Sequence, residues 1–588
     1  MLRNHAAIGD RSTIALVAGD ATIDWWSPDG LDAPASLFSL LDERQGGAVR
    51  VTPSVPGGPS EQFMHTSGGP IVSTIIRDRE GSVEVTDHVI RGSIIRVLTG
   101  RSGRPTVTVK VTPGEAFGAP RKIKRWSQGV SFGRLVVRGP VVDSPITLGL
   151  GERAVFTITT SDEGSVTHTG EQFVQPSVGE AIGERERYAR WWSGELSNVD
   201  LQGPFDEAAR RSVRALRLLT DRSTGALRRA ATTSLPARTG NERNIDERFA
   251  WLRDNANAVV LWERLGRADL ADAARIWLEE RATDEYPLAP AYRPDGSRLP
   301  SEEESGLPGW EGNGPVRIGN RVSEAFDLGA IAQTSLVLDG RRAWPQLEQL
   351  AEWLASEGMR ADNGRWDTRS AKVRHIESAL AVRAALRALI VTARRRDPLD
   401  LRLIEWEDAA RAHEAWLATE GLFGVGASAG WRRVGNTASD RAGSPGYGAD
   451  DTTDGAMLAW LRSSPPELPD DAENEAHHRR LVTLDQALPQ LTEWPFTHRH
   501  LPHVDDGFPP GQGADLWASF TMVSALCSAG RWEEAHNRMD ALVSFLGPLH
   551  VGSTHADPFT MDLRGNLLAA PCHLALIDAA QALARGPR

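Results

Sequence analysis

WPQLEQLAEWL (344–354) sets Trp344, Leu347, Leu350, Ala351 and Leu354 at i, i+3, i+6, i+7 and i+10, which is one face of an α-helix. The same periodicity dominates downstream of about residue 204. Read together with the Gly and Pro punctuation, it predicts about twelve helices, starting near residues 205, 252, 269, 322, 342, 374, 402, 452, 474, 514, 532 and 570. No strict repeat accompanies them, which argues against a regular solenoid.

Upstream the period changes to two. Val107, Val109 and Val111 alternate with Thr106, Thr108, Lys110 and Thr112; Val83 and Val85 flank Glu84; Phe156 and Ile158 lie within AVFTITT (154–160). PGGPS (56–60) and SGGP (67–70) separate such runs, the pattern of an antiparallel sandwich. Between the two textures lies a charged helical segment, GEAIGERERYARWWSG (179–194). The expected organisation is a β-sandwich over 1–178, a linker helix over 179–203 and a helical domain over 204–588.

Composition narrows the function. A chain of 588 residues exceeds one ordinary core, so it is multidomain. With 66 basic and 78 acidic residues, a net charge of −12, it lacks the basic face of a nucleic-acid binder. No apolar run is long enough for a membrane span, and the start MLRNHAAIGD lacks the apolar stretch of a signal peptide. Cys527 and Cys572 are the only cysteines, so no disulfide framework is expected and a cytoplasmic location fits. Nineteen Trp against four Tyr is unusual; indole faces bind sugars well, although most Trp serve as core.

Five long stretches without helical pattern, 284–320, 361–373, 424–451, 494–513 and 548–569, alternate with helix pairs. Ordered loops of that length are usually functional, and their alternation points to one shared cleft. NERNIDERFAWLRDNANAV (241–259) carries Arg253 and Asp254 beside Trp251. Such a pair can clamp sugar hydroxyls, one donating and one accepting, or form a structural ion pair at a helix start. YRPDGSRLPSEEESGLPGWEGNGPVRIGN (292–320) sets Trp310 among glycines ahead of Arg317. That Trp is either a stacking platform or loop packing. GRWDTRS (364–370) puts Asp367 after Trp366, where partial desolvation would raise a carboxyl pKa and suit a general acid; structural use is the alternative. THRHLPHVDDGFPPGQGADLWASF (497–520) carries His498, His500 and His503 at a spacing that fits no common zinc pattern, so no metal is expected.

The order and wording of these segments resemble glycoside hydrolase family 15, the glucoamylase-like family that includes bacterial glucoamylases and related trehalases. The similarity runs through IGDRSTIALVAGDATIDWWSPDGLDAPASLFSLL (8–41), TTSLPARTGNERNIDERFAWLRD (232–254), LPGWEGNGPVRIGN (307–320), GRWDTR (364–369) and HLALIDAA (573–580). It implies an N-terminal β-sandwich, a linker helix and an all-α (α/α)6 barrel. It also implies inverting hydrolysis of a terminal α-glucosidic bond by two carboxyl groups roughly 6.5–9.5 Å apart. Arg253 and Asp254 match the family's sugar clamp, Trp251 and Trp310 its aromatic walls, and Arg499 a sugar-binding arginine, with His500 following where an aromatic is usual. Trp366, Arg317 and Thr554 join the expected substrate-binding set.

The catalytic pair departs from the family pattern. The general acid is Glu after Trp; here it is Asp367, one methylene shorter. The base is the first Glu of Ser-Glu-Glu; this chain reads Ser553-Thr554-His555-Ala556-Asp557, so Thr554 stands in its place. A threonine hydroxyl cannot act as a base at neutral pH. A neutral His555 could accept a proton, yet its position in the family does not face the water. Asn244-Ile245-Asp246-Glu247 carries Glu247 where the family has Tyr. Glu247 has either taken over as base, turned to a changed substrate, or paired with Arg248 or Arg243. The expected activity is an inverting glycosidase acting on an oligosaccharide or small glycoside, with no cofactor. Elimination chemistry in the same cleft and a binding protein without turnover are the alternatives. The expected partner is a carbohydrate, with neither nucleic acid nor membrane; homo-oligomerisation stays open.

Overall fold

The structure, a computed structural model, describes residues 1–65, 69–118, 122–126, 128–161, 175–240, 242–283, 286–424, 429–435, 453–462 and 470–586. Its N-terminal part is two antiparallel sheets of six and eight strands. The period of two is visible in strand Thr106–Thr112, where Val107, Val109 and Val111 are buried and the intervening residues are half-buried or exposed. Strand Arg153–Thr160 departs from it, being buried from Ala154 to Thr159. Helix α1 (Val178–Ser197) explains this, because its Ala181 packs on Val155, Ile95 and Val97 and covers that sheet's outer face.

Between the sheets lies a fully buried ion pair. Arg96 Nε donates to Asp87 Oδ1 (2.7 Å), and its Nη atoms reach the carbonyls of Ala21 (2.6 Å) and Val49 (3.3 Å) on the other sheet. Arg96→Met is expected to destabilise the chain by ~3–5 kcal/mol, because Asp87 would be left buried and unpaired. A lowered urea midpoint is the measurement.

Twelve helices follow α1 among the described residues: α2 (Asp206–Leu219), α3 (Leu252–Arg264), α4 (Ala268–Arg281), α5 (Leu328–Ser335), α6 (Trp344–Glu357), α7 (Ile376–Arg396), α8 (Arg402–Glu420), α9 (Leu458–Leu461), α10 (Asp470–Leu491), α11 (Leu516–Ser528), α12 (Trp532–Leu546) and α13 (Ala570–Ala584). Two start six residues later than the periodicity places them, at Leu328 and Leu458 instead of 322 and 452. In both cases a short 3-10 turn, Arg321–Glu324 or Gly455–Met457, occupies the segment first.

Six alternate helices close into an inner ring. α3 packs on α5, α5 on α7, α9 on α11, α11 on α13 and α13 on α3, and the turn Gly455–Met457 bridges α7 to α9. The other six flank them. Burial follows from this arrangement: in inner α11 every residue from Leu516 to Cys527 is buried, whereas outer α6 buries only Leu347, Leu350, Ala351 and Leu354. Trp344, at the rim of α6, is half-buried beneath the Arg396 guanidinium. Trp25, Trp26, Trp192, Trp262, Trp277 and Trp406 are fully buried, so much of the tryptophan content is core. Among the described residues no helix is long and apolar enough to cross a membrane.

Candidate active site

The N-terminal ends of the inner helices converge, and five of the six bring an acidic side chain, α13 being the exception. Asp254 lies in the first turn of α3 and Glu377 in that of α7. Asp327 caps α5 by accepting from Ala330 N–H (3.0 Å), Asp515 caps α11 through Ala518 N–H (2.8 Å), and Asp454 caps the turn into α9 through Ala456 N–H (2.9 Å). Carboxylates belong at these ends, where unpaired N–H groups and the helix dipole favour negative charge. A cavity of about 250 Å³ opens at this end of the ring, lined by Asp254 and Asp515 of these five.

Eight of the expected residues line it: Glu247, Trp251, Arg253, Asp254, Trp366, Asp367, Arg499 and Thr554. Asp367 sits in a tight turn closed by Thr368 N–H to Asn363 O (3.2 Å), with φ +50. Trp251 Nε1 donates to Asp367 Oδ2 (3.1 Å), and Arg229 Nη1 lies 3.6 Å from the same oxygen. Burial outweighs both and pushes the Asp367 carboxyl up to about 6. Glu247 enters from a separate segment. Asn566 Nδ2 donates to its Oε2 (2.8 Å), and burial raises its pKa against the opposing pull of Arg229 and Arg499. It does not pair with Arg248, which binds Asp246, nor with Arg243, which binds Asp506. Arg499 Nε donates to Asp515 Oδ2 (2.7 Å), and its guanidinium stands 5.0 Å from the Trp366 ring centre.

Several expectations need correction. Arg253 and Asp254 both line the cavity but do not pair with each other. Consecutive helical residues diverge by about 100°, and Arg253 turns to Asp327 (2.6 Å) and Glu377 (2.7 Å), a buried structural network. Asp254 instead accepts from Arg229 Nε (2.7 Å). Trp310 lies outside the cavity: a turn with Gly309 at φ +78 and Glu311 at φ +51 carries it to a second cavity beside the N-terminal sheets, under the Arg564 guanidinium. Arg317 is likewise absent from the lining, held by Glu302, Glu304 and the carbonyl of Asn244. His555 lies behind the cavity, its Nδ1 3.0 Å from Thr554 Oγ1. His498 rests on Glu493 (3.2 Å) and His500 on Asp506 (3.4 Å).

The family model described as glycosyl hydrolases family 15 matches residues 203–557, more than half of the chain. The chain belongs to this family. A second model, trehalase-like N-terminal, matches residues 1–174. Among curated relatives, a trehalase of Mycolicibacterium smegmatis is 24% identical over 98% of this chain and 90% of its own length. A trehalase of Thermoplasma acidophilum is 21% identical over 97% and 98%. A bacterial glucoamylase solved in complex with acarbose matches with a TM-score of 0.66 at 11% identity, covering 99% of this chain and 93% of that one. Its likeness establishes the fold as a β-sandwich with an (α/α)6 barrel. Family membership makes this chain a glycosidase.

The cavity also holds residues that sequence reading passed over. Arg229 is the hub: it bonds Asp254, approaches Asp367, and lies 4.0 Å over the Trp251 ring. It stands in GALRRAATTS (225–234), where no motif or periodicity marks it. Asp515 lies inside the quoted 497–520 segment, and its place before an apolar helical run was a readable N-cap signal. Gly565 lets the hairpin of Ser553–Asp557 and Asp562–Leu567 close on Thr554. At φ +70, a Cβ there would stand 2.0 Å from Thr554 Oγ1 and 2.9 Å from His555 Nδ1. Gly565→Ala is therefore expected to cost ~1–3 kcal/mol and to displace Thr554. Thermal unfolding read beside kcat is the check.

Proposed function

We propose that the chain hydrolyses a terminal α-glycosidic bond of a small glycoside with inversion, with Asp367 as general acid and Glu247 as general base. The observation that carries this reading is that two carboxyls from separate segments, Glu247 buried and Asp367 half-buried, line one cavity and flank the same guanidinium, Arg229. Asp367, with a pKa near 6, holds a proton to give. As its proton passes to the leaving oxygen, the bond from that oxygen to the anomeric carbon breaks. Water forms the new C–O bond on the opposite face and loses a proton to Glu247. The Arg229–Asp254 and Arg499–Asp515 pairs each offer donors and acceptors to sugar hydroxyls, and Trp251 and Trp366 offer ring faces.

Size limits the substrate. About 250 Å³ lies at the small end of ligand pockets, roughly 300–1,000 Å³. A disaccharide suits it better than a polymer, and the relatives named trehalases point to trehalose or a similar small α-glucoside. Buried Cys527 and Cys572 carry free thiols, which suits a cytoplasmic enzyme acting on a diffusible sugar. Proton NMR during turnover of trehalose and of aryl α-glucosides tests the reading. The aryl α-glucosides are expected to release the β-anomer first, and trehalose equal parts of β- and α-glucose, because its leaving glucose keeps its own configuration. Release of the α-anomer from the aryl glucosides, or of the α-anomer alone from trehalose, overturns inversion, and an unsaturated or keto product overturns hydrolysis.

A further inference from the structure

Behind the main cavity lies a further, smaller one of about 30 Å³, and Glu247, Thr554, Trp366 and Arg499 line both. His555 faces only the small one. Its side chain is more than nine-tenths buried, and its Nε2 finds no hydrogen-bond partner among the described residues. Thr554 Oγ1 accepts from the Asn566 N–H (3.1 Å) and holds the other ring nitrogen at 3.0 Å, so the imidazole is fixed in place. A buried polar atom without a partner is costly, and a polar cavity above about 10–15 Å³ is large enough for water.

We propose that this cavity is a water site, in which one ordered water bridges His555 Nε2 to the Glu247 carboxylate and keeps that carboxylate aimed at the main cavity. The inference rests on Glu247 being the base. The water donates one hydrogen bond to the carboxylate and, according to the imidazole tautomer, either donates to Nε2 or accepts from it. Asn566 holds Glu247 from one side and the water holds it from the other. His555 is thus a positioning residue, acting through water on the group that touches substrate. The charged groups facing Glu247 are Arg229, Asp254 and Arg499; those facing His555 are Arg499, Arg243 with its partner Asp506, and His498.

The test joins a high-resolution crystal structure of the wild-type chain to kinetics of His555→Phe and His555→Gln. The structure is expected to show water between Nε2 and Glu247. His555→Phe is expected to lower kcat roughly 10- to 100-fold with KM nearly unchanged, as for a slightly misaimed base. It also moves the acidic limb of the pH–rate profile upward, because the ionised carboxylate loses a hydrogen bond. The alkaline limb stays, and His555→Gln recovers part of the loss. A dry cavity, a small anion in place of water, or a wild-type profile in His555→Phe overturns the water site. If His555→Phe fails to fold, the wild-type structure and His555→Gln decide alone. Glu247→Gln separates the two readings: inactivity there beside an unshifted His555→Phe removes only the water site, whereas full activity there removes Glu247 as base.

Discussion

Asp367→Asn is expected to lower kcat/KM roughly 10²–10⁴-fold, the usual worth of a positioned proton donor, and at the same time to make the chain more stable near neutral pH. Both effects come from one environment. The folded chain holds the Asp367 proton up to about pH 6, against an ordinary value of 3.8. Between those values the folded state keeps a proton that the unfolded state has lost, so stability falls as pH rises through that window. Above about 6 the penalty of a buried carboxylate is fully present, ~3 kcal/mol for a shift of about two units. Asparagine removes the charge, can still accept from Trp251 Nε1, and tolerates the left-handed backbone at φ +50. Urea midpoints of variant and wild type should therefore agree near pH 4 and separate towards pH 7. Wild-type activity should decline tenfold per unit above about pH 6, because the acid must carry its proton.

How much of this was readable depends on range. Local patterns were readable: the α6 stripe, the Val107–Val111 alternation and the carboxylates at helix starts all follow from contacts within a few residues. Arg229 was not, because its meaning lies in Asp254 and Asp367, which come from other segments. Trp310 was misplaced for a backbone reason. Its glycine-rich loop leaves a stacking platform and loop packing both open, and the positive φ angles at Gly309 and Glu311 turn the ring towards the N-terminal sheets. Arg253 shows the same limit in another form. Adjacency to Asp254 says nothing of the partners Arg253 takes, Asp327 and Glu377, because they come from other segments. Resemblance pointed to GRWDTR (364–369) and to Ser553–Asp557, and both reach the cavity, but at Thr554 it supplied a position without the expected carboxyl.

Glu247→Gln carries the second large effect and separates catalysis from binding. The amide oxygen of glutamine can still accept from Asn566 Nδ2, so the local structure should persist. What disappears is the ability to take a proton from water, and kcat should drop roughly 10²–10⁴-fold while calorimetric affinity for an unreacted sugar stays near that of the wild type. The acidic limb of the pH–rate profile should vanish with it. That limb exists because Glu247 must be ionised, and burial has raised its pKa above the ordinary carboxyl value, so the limb lies higher than it would for an exposed glutamate. Asp367→Asn should remove the opposite limb. A chain that binds sugar and turns nothing over even with both residues intact would be a carbohydrate receptor built on a glycosidase fold. Equal activity in Glu247→Gln and wild type would instead return the search for a base to the other acceptors around Arg229 and Arg499, of which Asp254 and Asp515 are already engaged by those guanidiniums.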